Sequence, residues 1–186
     1  MHFHEAVQLL FTNRRFYLMA PSTSVNNVMV IRKARREDAQ EIWGVRSAAI
    51  NNQCVGHYSP EELEIWTNGE TTEHFIKTVD DSFYLATLDG HVVGTGMINF
   101  ESGKVDAIFV VPSHMRTGVG RQVLLHLEKL ALDAGLTQLS LDSTLNAAAF
   151  YRKHGFTGDS VAKYESPRGI SLDCIPMIKS LSKTKL

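Results

Sequence analysis

Apolar positions recur along this chain with two different periods, and the switch between them lays out the fold. "VMVIRKA", residues 28 to 34, is short and β-branched and predicts a first strand. In "RREDAQEIWGVRSAAI" the residues Ala39, Ile42, Trp43, Arg46 and Ile50 fall at helical spacing, with acids in the first turn where they suit the helix dipole. "SPEELEIW" is a helix start: Ser59 as cap, Pro60 at the first position, and a glutamate three residues after the cap. "TTEHFIKTV" predicts a further short helix. Alternation then takes over. "SFYLATL", "HVVGTGMINF" and "KVDAIFVV" read as three strands joined by turns at Asp89–Gly90 and Ser102–Gly103, an antiparallel meander over 82 to 111.

After a polar turn the helical period returns. Val123, Leu124, Leu127, Leu130 and Ala131 share one face of a helix that stops at Gly135. "TQLSLD" predicts a strand, "TLNAAAFYRKHG" a second helix ended by glycine, and "FTGDSVAKYES" with "ISLDCIPMIKSL" a closing strand pair. This order predicts an α/β chain: a three-layer α/β/α sandwich around a mixed, mostly antiparallel sheet. Residues 1–27 read as an N-terminal extension ahead of a single domain over 28–186, since "APSTSVNN" has linker composition. The alternative for the extension is a helix docked on the domain or on a second subunit, so a homodimer stays open.

Composition narrows the function classes. The 186 residues suffice for one domain with a sizeable core. A net charge of −1 argues against nucleic acid as a partner. No apolar run approaches the roughly 18 residues of a membrane span, and the N-terminus is a poor secretory signal, so no membrane partner is expected. Cys54 and Cys174 form neither a zinc spacing nor a disulfide framework. They read as reduced thiols in a cytoplasmic protein, and no metal is expected.

The candidate chemistry lies in "VVPSHMRTGVGRQVLLHL", where a strand hands over to a helix through bare backbone. A helix starting near Gly118 leaves its first N–H groups without intrahelical partners, and those groups with the helix dipole favour an anion. Gly118 and Gly120 leave the backbone open, and Arg116 and Arg121 add positive charge. A tight left-handed turn explains the same glycines without any ligand. Two phosphate motifs are ruled out. No Lys-Ser or Lys-Thr pair follows the turn, as a P-loop needs, and the glycine spacing is not that of a dinucleotide-binding βαβ unit.

"VVPSHMRTGVGRQVLLHLEKLALDAG" resembles the acetyl-CoA-binding motif of the GNAT-type N-acetyltransferase superfamily: a valine-rich strand, a proline, then a Gly-x-Gly turn opening a helix. "LSLDSTLNAAAFYRKHGF" resembles that family's second motif, a strand and a helix carrying Phe-Tyr and ending in Gly-Phe. The two stand in the family's order, "SPEELEIW" and "IPMIKSL" look like one bacterial branch of it, and the resemblance extends over about 28 to 182. Two positions depart from the pattern. Met115 stands where the family usually has Gln or Arg, and Thr144 where it often has Asn. Thr144 keeps the chemistry to cap a helix and donate a hydrogen bond.

The resemblance implies an acetyltransferase of the family's fold, with acetyl-CoA as co-substrate and a small primary amine as partner, the acetyl group passing by direct attack in a ternary complex. It implies that Phe109, Val110 and Val111 offer main-chain groups to the pantetheine arm and thioester, on a strand splayed from its neighbour. Arg116, Thr117, Gly118, Val119, Gly120 and Arg121 would hold the pyrophosphate, with Thr144 and Phe150 also at the cofactor. Tyr151 would protonate the leaving thiolate, and plain core packing is the competing reading for that tyrosine. Asp106 is the candidate base, through water, against the alternative of an exposed strand-start carboxylate; Glu101, His57 and His114 are further candidates. His57 and Tyr58, in the polar loop "INNQCVGHYSP", would line the acceptor cleft. Two alternative functions stay open: a protein or peptide N-acetyltransferase, and a non-catalytic CoA-binding regulatory module.

Overall fold

A computed structural model describes residues 28–182. The N-terminal extension lies outside the described residues. Seven strands form one sheet in the order β1-β2-β3-β4-β5-β7-β6. These are β1 (Met29–Lys33), β2 (Phe83–Leu88), β3 (His91–Asn99), β4 (Lys104–Val110), β5 (Gln138–Thr144), β6 (Ala162–Glu165) and β7 (Ser171–Ser180). Five α-helices accompany them: α1 (Ala39–Gln53), α2 (Pro60–Thr67), α3 (Glu73–Ser82), α4 (Val119–Asp133) and α5 (Ala148–Lys153). Every neighbouring strand pair is antiparallel except β4–β5. The mixed, mostly antiparallel α/β sandwich expected from the order of elements is the one observed.

Local signals account for most boundaries. Ser59 accepts the N–H of Glu62, while the Glu62 carboxylate accepts the N–H of Ser59, a reciprocal cap that starts α2 at Pro60. Asp89 and Gly90 both take positive φ (51° and 82°), which fits a two-residue turn to the twist of the β2–β3 hairpin. Two expected elements are shorter than the apolar pattern suggests. The second helix begins at Ala148 rather than Thr144, because β5 runs on through Thr144 along its pairing with Cys174 of β7. Of "FTGDSVAKYES" only Ala162–Glu165 forms a strand, and Thr157 adds a single bridge to Ile178 of β7.

The core divides across the sheet. Val123, Leu124, Leu127 and Ala131 of α4, with Ala148 and Tyr151 of α5, pack on Ile98, Val105, Leu139, Leu141 and Met177 on one face. Ala39 and Ile42 of α1 and Val79 of α3 pack on Phe83 and Leu85 on the other. A third cluster joins Ile50, Cys54, Tyr58, Leu63 and Leu172 under α2.

The depth at which α4 sits is set by two glycines of β3. A Cβ on Gly96 would fall 2.6 Å from a methyl of Val123 and 3.1 Å from one of Leu127; on Gly94 it would fall 2.8 Å from Val119. "GTG" is therefore a groove in the sheet that receives the first three turns of α4. Another local constraint fixes the β1–α1 corner. Asp38, 7% exposed, takes a two-pronged contact from Arg32 at 2.7 and 2.8 Å and the N–H of Arg35 at 2.8 Å. Those bonds, the Arg32 contact foremost, hold its carboxyl below the usual aspartate pKa.

Three outcomes are expected. Gly96→Ala should destabilise by about 1–3 kcal/mol, since Val123 and Leu127 are fully buried and cannot yield. Gly44→Ala, on the open side of α1 with nothing within 4 Å, should stabilise by roughly 0.5–1 kcal/mol; denaturant unfolding of both variants checks the contrast. Asp38→Asn should cost about 1–3 kcal/mol near neutral pH. Because the folded pKa lies below the unfolded one, that contribution is complete above about pH 4 and fades as pH falls through the folded value. Unfolding curves of wild type and variant should therefore converge in acid.

Candidate active site

The parallel β4–β5 pair is registered at one position, Lys104 opposite Ser140, where Ser140 N–H donates to the Gly103 carbonyl at 3.0 Å. Beyond it the two strands part. Along the rest of β4 the edge facing β5 has no strand partner, so its main-chain groups stay open to a ligand. A cleft of about 520 Å³ enters this gap, walled by Ala107, Ile108 and Phe109 on one side and Leu141 to Thr144 on the other. Since β4 and β5 run the same way, α4 and α5 both begin beside the opening, the position where open sheets bind ligands.

On the β4 side, Val111 N–H donates to Val93 at 3.0 Å, and a single turn over Pro112–His114 leads to the glycine loop. Thr117 Oγ1 donates to the His114 carbonyl at 2.7 Å and closes that loop. Arg116 has φ of 61°, unusual for a residue with a side chain, and Gly118 has φ of 95° as the residue before α4. The first bond into the helix is Gln122 N–H to Gly118; among the described residues the N–H groups from Arg116 to Arg121 have no main-chain partner. Arg116, Thr117, Gly118 and Arg121 are exposed, Gly120 is half-buried, and the Val119 side chain is buried under Gly94. Gly118 has nothing within 4 Å of a Cβ, so its need is conformational, whereas Gly120 lies against Val110 and the Phe150 ring. This is an open row of donors flanked by two arginines, suited to a pyrophosphate. Met115 is half-buried beside it.

Tyr151 lies across the gap on α5. It is 8% exposed and stacks edge-on with Phe150 and Phe156, at 5.1 and 5.6 Å between ring centres. It also lines the cleft, where its hydroxyl oxygen is accessible and, among the described residues, has no hydrogen-bond partner. Burial raises its pKa well above the ordinary phenol value, so it holds its proton. Core packing and cleft exposure, posed by the sequence as alternatives, coexist in this one residue. Thr144 lines the cleft too, but it does not cap α5: the N-cap is Ala147 without a side-chain bond, and Thr144 contributes its carbonyl to Ala147 N–H. The extension of β5 through Thr144 places the residue one turn too early.

Asp106 sits at a β-bulge. Met97 pairs with Ala107 and Ile98 with Val105, so Asp106 is the extra residue of β4. The bulge breaks the alternation that would put Asp106 in phase with Ile108 and Val110. Lys104 Nζ bridges Asp106 at 3.5 Å and Asp142 of β5 at 2.9 Å. All three groups line the cleft at the point where the strands part. Partial burial raises the Asp106 pKa; Lys104 opposes the shift and Asp142 adds to it.

The loop before α2 divides its two candidates. Tyr58 lines the cleft, but its hydroxyl is engaged: it donates to the Asp173 carbonyl at 2.7 Å and accepts the N–H of Leu145 at 3.1 Å. It thus ties the α1–α2 loop to β7 and to the turn after β5. His57 and Glu101 are exposed and His114 half-buried, and all three lie outside the residues that line the cleft. Cys54 and Cys174 are free thiols; burial pushes Cys54 up to about 11, leaving it unreactive. No cluster of metal-binding side chains occurs among the described residues.

The wall built by the first two helices and the last strands carries side chains that were not among the expected site residues. Trp43 and Arg46 of α1, Trp66 of α2, and Tyr164 and Arg168 near β6 all line the cleft. A signal was available: Arg46 occupies the helical spacing of Ala39, Ile42 and Ile50, where an arginine needs a reason.

Comparisons with known proteins place this arrangement. Residues 51–156 match the family model described as "Acetyltransferase (GNAT) family". The uncharacterized N-acetyltransferase YjcF of Bacillus subtilis is 32% identical over 103 residues, 53% of this chain and 74% of that protein. A GCN5-related N-acetyltransferase structure from Rhodopseudomonas palustris, which also carries the designation aminotransferase, class-II, superposes with a TM-score of 0.75 at 28% identity, covering 82% of this chain and 95% of that one. The PaiA N-acetyltransferase of Thermoplasma acidophilum, solved in complex with coenzyme A, shares the fold with a TM-score of 0.62 at 20% identity, covering 82% and 99%. With the split sheet, the glycine turn and the matched region in agreement, the chain belongs to the GNAT acetyltransferase family.

Proposed function

We propose that this protein is an acetyl-CoA-dependent N-acetyltransferase that acetylates the primary amine of a small molecule in a ternary complex. The observation that carries the reading is the gap between β4 and β5, into which an open strand edge and an unpartnered tyrosine hydroxyl give, with an open row of N–H donors just past the end of β4. An acetyl thioester supplies the activated carbonyl. The N–H groups of residues 116 to 121, with Arg116 and Arg121, hold the pyrophosphate. The free edge of β4 at Val110 orients the pantetheine arm and donates to the thioester oxygen as it gains charge, with the Phe109 side chain lining the cleft beside it; the Val111 N–H, expected to share this role, is engaged by the Val93 carbonyl. Phe150 closes the other side of the arm, beside Gly120.

Asp106 takes a proton from the amine through water, leaving a neutral nitrogen that bonds to the carbonyl carbon. The C–S bond then breaks with its electron pair on sulfur, and Tyr151 gives the thiolate its phenolic proton. The nitrogen, now bonded to the carbonyl carbon, gives up its second proton through water, which restores Tyr151, and Asp106 passes its own proton to solvent. The bulge serves this chemistry by turning Asp106 out of the ladder, and Lys104 steadies both carboxylates at the seam.

Thiol release measured over an amine panel tests the reading. Tight acetyl-CoA binding with no turnover on any amine would leave a binding module instead, and acetylation confined to peptides would move the acceptor class. Tyr151→Phe should lower kcat by roughly a hundredfold with little change in the KM for acetyl-CoA; unchanged turnover removes Tyr151 from the mechanism. Asp106 acts only when ionised, and its raised pKa moves ionisation upward, so activity should fall as pH drops through that value. Asp106→Asn should erase this acidic limb from the pH–rate profile. An identical limb in the variant would assign the base elsewhere.

A further inference from the structure

Arg46 occupies a position where a charge is costly. It lies half-buried in the cleft wall, and its Nη1 is the one buried side-chain polar atom without a hydrogen-bond partner among the described residues. Burial pulls its pKa down to about 10, the Arg168 guanidinium pushes the same way, and no carboxylate opposes them. The acids of the cleft are committed elsewhere: Asp106 and Asp142 to Lys104, Asp173 to Lys163 at 2.7 Å. Glu70 is exposed and does not offset the charge. A buried cation without a counter-charge is unfavourable unless a ligand supplies one.

The surroundings say what that ligand is. Arg46 and Arg168 both lie over the ring of Trp43, at 4.8 and 4.7 Å from its centre. A guanidinium laid on an indole face keeps its N–H edge free for an in-plane partner, the geometry that a carboxylate satisfies with two oxygens. Arg168 is held in place by donation from Nη1 to the Asn68 carbonyl. Trp66, Phe75 and Tyr164 make the adjoining walls apolar, and the volume of about 520 Å³ suits a small molecule.

We propose that the acceptor carries a carboxylate as well as its amine, and that Arg46, with Arg168 beside it, receives that carboxylate while the amine lies toward the seam of the sheet. The amine half of this statement rests on the acetyl-transfer reading above; the anion half stands on Arg46 alone. The site would select amino acids and other amino-carboxylates over plain amines.

Three measurements test it. Thiol release is followed with matched acceptors that differ only in the carboxylate: amino acids against their α-amides and decarboxylated amines, with aromatic, aliphatic and acidic side chains. The acid member of a productive pair should show at least tenfold higher kcat/KM, carried by KM. Arg46→Met should abolish the gap and Arg46→Lys should keep part of it. Equal values within pairs, or a gap that survives Arg46→Met, overturn the proposal. Tryptophan fluorescence, which needs no turnover, is titrated with phenylacetate and with phenylacetamide. The acid should bind at least tenfold more tightly, and only while Arg46 is present; no difference between the two overturns the proposal. Acid-specific binding without turnover of any amine would keep the anion site and remove the acetyl-transfer reading. The melting temperature of ligand-free Arg46→Met should equal or exceed that of wild type, since an uncompensated charge is gone; a large fall would make Arg46 a structural residue and overturn the assignment.

Discussion

A parallel strand pair that is registered at one residue and then opens is the constraint on which this molecule depends. Lys104 opposite Ser140 is the hinge of the opening. Were β4 and β5 paired along their length, the edge of β4 would be consumed by its neighbour and no cleft would enter the sheet. An open edge inside a domain is unfavourable on its own, since backbone donors and acceptors there lose partners. The structure keeps the strands apart from both sides. Antiparallel partners hold each strand, β3 for β4 and β7 for β5, while Tyr58 fastens the far bank by its bonds to Asp173 and Leu145.

The depth of α4 follows from the same requirement. An N-terminus that presents donors to a pyrophosphate must lie level with the end of β4, and a helix resting on ordinary β-branched residues would ride higher. Gly94 and Gly96 remove the side chains beneath Val119, Val123 and Leu127, so the helix sinks until its first residues adjoin Val110. The left-handed turn at Gly118 then brings the chain into the helix without a cap, so that no side chain competes for the open N–H groups. The placement of the α4 N-terminus at one end of β4 is thus decided by packing in the middle of β3.

How much of this is legible in the sequence depends on the range of the interaction. Caps, hairpins and the glycine turn are local, and Ser59, Asp89–Gly90 and Gly118 signal them within a few residues. The element order and two motifs indicated the family, and the splay of β4 came with that resemblance. What stayed hidden required knowing which distant residues meet. The bulge at Asp106 exists only relative to β3, and alternation along β4 alone puts that residue in the wrong phase. The boundary of α5 depends on Thr144 finding Cys174 on β7, which no helical pattern reveals. The engagement of Tyr58 likewise involves partners 115 and 87 positions away. Arg46 was visible as an arginine in an apolar stripe, but only its lack of a partner gives that oddity meaning.

The charges of the cleft are arranged by the same logic of commitment. At the seam, Lys104 engages two carboxylates; burial works against the ammonium, but they outweigh it and raise its pKa. With both carboxylates ionised that cluster is negative, and a proton taken up by Asp106 neutralises it. At the α1 wall, Arg46 and Arg168 share an indole and no acid, so positive charge there is unbalanced until something enters. A cleft negative at the seam and positive at the α1 wall would orient a dipolar molecule by both of its charges. In the proposed reading, a cationic wall on α1 and the β6–β7 turn separates the groups that would select the acceptor from those at the seam that would move its protons. Substitutions on α1 can therefore change which molecule binds while the seam keeps its chemistry.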